Sequence, residues 1–174
     1  MAEFSTATNA EELLAKVVAH SSDKALVDLA TFFLSSPFAK DIKIVFAQKG
    51  DSNLPPVAIR HLNGQSLAVT HSTSDGVTIY FRKDSPDTFS DTLVVHEALH
   101  AVTEAALDRN PSLRKELESI SMAVRYSLGT ASEAGNFWSR NIAGKGNEAL
   151  AYAITSKEFR DLLSTLAADG KPFA

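Results

Sequence analysis

Cysteine is absent from the chain. That excludes a disulfide framework, a thiolate metal site and a cysteine nucleophile, and it leaves the redox compartment undetermined. Any bound metal must therefore be held by nitrogen and oxygen. An excess of basic charge is lacking too: the formal net charge is -4, which gives no electrostatic reason to expect a nucleic-acid partner. No apolar run reaches the roughly 18 residues of a membrane span. The acidic start MAEFSTATNAEELLAKVV does not have the layout of a signal peptide. These absences predict a chain with no membrane partner and no export address, cytoplasmic or virion-associated. The closing DGKPFA is loop-like, so both ends read as cut points and the chain as part of a longer polypeptide.

With 174 residues, 44% of them hydrophobic and 22% charged, the composition fits one ordinary globular domain with a real core, and the order of predicted helices and strands makes it α+β. Residues 8–20 predict a helix opened by a Thr8-x-x-Glu11 capping box, with Leu13, Leu14, Val17 and Val18 on one face. A second helix, capped by Ser22, carries Leu26, Leu29, Phe33 and Leu34 and ends before Pro37. The pattern then turns to strands over 42–46, 57–62, 66–70 and 76–81, separated by GDSNLPP, Asn63-Gly64 and Ser74-Asp75-Gly76. They read as a small antiparallel sheet of about four strands. In the last of them Val77, Ile79 and Phe81 alternate with Thr78 and Tyr80, so one face meets the core and the other is left for a cleft. Helices are predicted from Ser90 or Asp91 to Arg109, over 112–128, and, after a glycine-dotted stretch, over 148–154 and 157–167, the last capped by Ser156.

The chemistry is concentrated in residues 92–103, TLVVHEALHAVT. Four residues advance a helix by about 400°, so His96 and His100 project from one face a turn apart and can share one ion. Glu97 points about 100° away from His96, the place for a general base that reaches a water without binding the metal. Leu93, Val94, Val95, Leu99, Val102 and Leu107 surround these polar groups, and a helix apolar on nearly every side belongs inside a domain. Buried there, two imidazoles and a carboxylate need partners, whether hydrogen bonds from neighbours or a metal ion. A catalytic zinc takes three protein ligands and leaves a fourth position for water. The remaining histidines, His20, His61 and His71, all precede the motif, and positions 103 and 106 are Thr and Ala, which excludes the extended three-histidine pattern. Glu148, at 148 − 100 = 48 residues beyond His100 and at the head of an apolar helix, is the best third ligand. Its alternative role is a first-turn acid favoured by the helix dipole.

HEALHAVTE followed by NEALAYA resembles the gluzincin metallopeptidases, the thermolysin-like group. Residues 148–163, EALAYAITSKEFRDLL, are similar to the closing motif of minimal zincin domains in bacteriophage and plasmid polyvalent proteins. The likeness spans residues 77–166; the first 75 residues resemble nothing comparable. It implies a single zincin-like domain over 1–174, with a helical part at 1–38, a sheet at 42–82, and the active-site and ligand helices at 90–167. It also implies one Zn2+ on His96, His100 and Glu148, Glu97 as general base, and residues 76–81 as the edge strand that pairs with an extended protein or peptide substrate. The chain departs from the thermolysin-like pattern in its longer gap and in carrying Tyr152 where those enzymes have a helix-borne Asp. Tyr152 is thus a candidate to donate to a ligand or to stabilise the oxyanion, with a core aromatic as its other reading. Tyr126, His71 and Arg140 are weaker candidates. The expected function is zinc-dependent endopeptidase. The alternatives are a zinc-binding module of a larger protein without turnover, and a metal-free helical interaction domain.

Overall fold

Two helix starts lie one residue beyond the positions that the sequence pattern indicates. Helix α1, Ala10–His20, is capped by Asn9, whose Oδ1 accepts the Glu12 N–H at 2.9 Å. The Glu12 carboxylate reaches back to the Thr8 N–H at 2.7 Å and the Thr8 hydroxyl at 3.0 Å. The cap is therefore Asn9, with Glu12 reaching back to Thr8, and not a Thr8–Glu11 box. It closes the helix start while Ala10, Leu13, Leu14 and Val17 turn fully inward. Helix α2, Lys24–Leu34, is capped by Asp23 rather than Ser22, because one Asp23 oxygen accepts both the Ala25 and Leu26 N–H groups. An ionised carboxylate is the stronger acceptor for those two donors.

The structure, a computed structural model, describes residues 4–64, 66–85, 90–129, 140, 142 and 146–168. It is a mixed α+β arrangement with seven α-helices and three strands among the described residues. The chain forms two compact units, Met1–Ala106 and Leu107–Ala174.

In the first unit the sheet consists of β1, Lys43–Ala47, β2, Ala68–Thr73, and β3, Gly76–Arg82, in the order β1-β3-β2. β2 and β3 form an antiparallel hairpin across Ser74-Asp75, and Gly76 supplies its φ of +118°, a value that side chains disfavour. β1 runs parallel to β3. The expected four-stranded antiparallel sheet is thus a three-stranded mixed one. The segment read as a strand over 57–62 is instead helix α3, Pro56–Asn63. Proline cannot donate to a ladder but fits the first helical position, and Ala58 and Leu62, four apart, are the buried pair. The Asn63-Gly64 pair ends this helix rather than making a hairpin, with the Gly64 N–H donating to the His61 carbonyl at 3.1 Å.

Helix α3 covers one sheet face, where Ala58 and Leu62 pack with Ala47, Tyr80, Val45 and Val69. The Tyr80 side of β3 is therefore buried, and the face expected to line a cleft is closed. β3 is also the central strand, paired on both sides, so it cannot be the edge that receives a peptide. The outer side of β1 is partly occupied by residues 8–10: the Ile44 N–H donates to the Thr8 carbonyl at 2.9 Å and the Ala10 N–H to the Ile42 carbonyl at 3.0 Å. The outer side of β2 pairs with no other strand among the described residues. On the second sheet face Phe46 and Phe81, register partners, stack at 5.7 Å beside Ile79. Helix α4, Asp91–Leu107, starts where Ser90 Oγ accepts the Leu93 N–H at 3.3 Å, and it buries Val94, Val95, Ala98, Leu99 and Ala101.

The second unit begins with α5, Pro111–Gly129, capped by Asn110, whose Oδ1 accepts the Leu113 N–H at 3.1 Å. Helix α6, Gly146–Thr155, and helix α7, Lys157–Ala168, follow, with Ser156 capping α7 through the Phe159 N–H at 3.2 Å. Val124, Ile142, Ala149 and Phe159 form the core, joined by Tyr152, Ala153, Leu162 and Leu163. The buried Ser121 hydroxyl donates to the Ile142 carbonyl at 3.0 Å. Among the described residues, no helix is long and apolar enough to cross a membrane.

Candidate metal centre

One turn of α4 carries both histidines of the motif, as its spacing requires. The His96 and His100 Nε2 atoms lie 3.0 Å apart, with the rings edge to face at 4.6 Å and 78°. Half-buried His96 and 5%-exposed His100 thus aim the same ring nitrogen at one point. Glu97, 8% exposed, turns to the sheet. Its Oε2 accepts the Thr70 hydroxyl at 2.9 Å.

His96, His100 and Glu148 form a group that could hold a metal ion, with one ligand atom from each within 4.8 Å of the others. The donor set of two imidazoles and a carboxylate suits zinc chemistry and contains no sulfur. Glu148 sits in the first turn of α6, where its N–H donates to the Asn147 Oδ1 at 3.0 Å. The pair Asn147-Glu148 thus combines a local turn bond with an acid at a helix start, a place where negative charge is favoured.

The candidates for oxyanion stabilisation fall each within one unit. The Tyr152 ring packs edge to face on Phe159 at 6.3 Å and belongs to the second unit's core cluster. Tyr126 is 74% exposed on α5. Arg140 is exposed. His71 lies on β2 next to Thr70, and alternate strand residues face opposite ways, so His71 shares the α3 side with Val69 while Thr70 meets Glu97 on the other.

Thr70 is the residue that the sequence analysis did not single out. Its only signal was a polar position in the alternation Ala68, Thr70, Ser72 on a strand whose partner residues, Phe81, Ile79 and Val77, are apolar. A hydroxyl inside such a face needs a polar partner, and the partner is Glu97. Comparison with family models, with characterised proteins and with solved structures finds no match to this chain.

Proposed function

We propose that the chain is a zinc-dependent endopeptidase of gluzincin type, with His96, His100 and Glu148 as zinc ligands and Glu97 as general base. The observation that carries this reading is two histidine Nε2 atoms converging at 3.0 Å on a helix that also holds a buried carboxylate on the next residue. A zinc ion held by these three residues would supply Lewis-acid chemistry, activating a water and polarising a peptide carbonyl. Glu97 takes a proton from the attacking water and returns it to the leaving amine nitrogen. The buried position of Glu97 keeps its carboxylate out of bulk solvent. The Tyr152 hydroxyl is our candidate for stabilising the developing oxyanion, with a core aromatic as its other role.

The substrate is an extended peptide, and the strand that receives it is β2 rather than β3. The outer backbone groups of β2 supply affinity through main-chain hydrogen bonds, with side-chain pockets supplying selectivity. Glu97→Gln keeps the shape of the side chain and removes the base. It should leave zinc bound and abolish cleavage of a mixed peptide library. A variant that cleaves as fast as the parent refutes the mechanism, and a zinc-loaded parent that cleaves nothing makes the chain a metal-binding module without turnover.

A further inference from the structure

We propose that Thr70 is a positioning residue that sets the rotamer of Glu97, an inference that rests on the metallopeptidase reading for its consequence in turnover. Thr70 occupies the middle of β2, opposite Ile79 in the register, and its backbone is fixed by the hairpin. Its hydroxyl donates to Glu97 Oε2 at 2.9 Å and has a longer contact, 3.5 Å, with the Glu97 carbonyl oxygen. In this contact the Thr70 hydroxyl is the donor and the Glu97 carboxylate oxygen the acceptor. A glutamate has three rotatable side-chain bonds and, on a helix, several open rotamers. A β-branched threonine is stiff at its first torsion, and a stiff donor on a paired strand selects one of those rotamers. The sheet thereby aims the carboxylate borne by the motif helix. The bond uses only the side chain of Thr70, leaving its backbone N–H and carbonyl to the strand, so aiming the base and receiving a substrate strand are separate tasks of one residue.

The test compares the 174-residue parent with Thr70→Val, which keeps the shape and removes the hydroxyl, and Thr70→Ser, which restores it. Two measurements run in parallel: turnover of one fluorogenic peptide chosen from the cleaved members of a mixed library, and the crystal structure and zinc content of each protein. Thr70→Val should bind zinc as the parent does, lower kcat about tenfold with KM held within about twofold, and show the Glu97 carboxylate displaced. Thr70→Ser should recover kcat and the carboxylate position. A Glu97 carboxylate that stays in place in Thr70→Val overturns the proposal, whatever the turnover. So does a loss of stability or of zinc with kcat unchanged in the protein that remains loaded. If Thr70→Val does not fold, Thr70→Ala reads the same quantities. A parent that cleaves no peptide defeats the metallopeptidase reading alone, and the position of Glu97 in the crystals then decides whether Thr70 holds it.

Discussion

Replacing Leu62 by alanine should cost the first unit about 3–4 kcal/mol, more than the same change at its helical neighbour Ile59. Leu62 is 1% exposed and lies in the cluster that joins α3 to the sheet. The truncation removes three carbons from that cluster, worth about 2.4 kcal/mol at about 0.8 kcal/mol for each buried methylene. A cavity term adds to this, because Ala47 and Ala58 have no reach with which to fill the space. Ile59 is half-buried, and Ile59→Ala should cost less than half as much. Urea unfolding followed by circular dichroism reads both variants. With a slope of about 1–3 kcal/mol per molar urea, the midpoint of Leu62→Ala should fall by about 1 M or more. A strand over 57–62 would instead put Val57, Ile59 and His61 on one face. Equal losses for the two variants, or a larger one for Ile59→Ala, would therefore refute the helical assignment and the closing of that sheet face.

Two further predictions concern single polar groups. The Thr8 N–H, with the Thr8 hydroxyl adding to it, holds the Glu12 carboxyl below the ordinary carboxylate range. A lowered folded pKa stabilises above the unfolded value, and that contribution is lost as pH falls through the lowered one. Thermal melts of the parent and Glu12→Gln should therefore differ by a constant amount near neutrality and converge in acid; a gap that widens in acid contradicts the capping assignment. Tyr152→Phe keeps the ring on Phe159 and removes only the hydroxyl, so kcat for a cleaved peptide should fall about a hundredfold at unchanged Tm. Unchanged kcat would return Tyr152 to a packing role.

Much of the site was legible because its chemistry is local. The i, i+4 spacing of His96 and His100 and the adjacent glutamate fix directions on a helix whatever the rest of the fold does. Glu148 was reached through the residue types left once cysteine and downstream histidine were excluded, and the group that could hold a metal ion includes it. Thr70 was not legible, since its partner lies 27 residues away on another element and a threonine in a strand is ordinary. The error at 57–62 has a similar cause. Val57 and Ile59 favour a strand locally, whereas the two prolines before them and the inward pair Ala58 and Leu62 satisfy a helix, and packing on the sheet decides between these. With that segment removed, parallel pairing of β1 and β3 had no local signal either, because register between distant strands is set by the faces they bury.

The most direct test of the central claim is the metal content of the purified 174-residue chain after zinc supplementation and removal of free ion. About one zinc per chain is expected, bound through nitrogen and oxygen alone and lost in His96→Ala. A parent that retains no zinc, or a His96→Ala variant that retains as much as the parent, would contradict it.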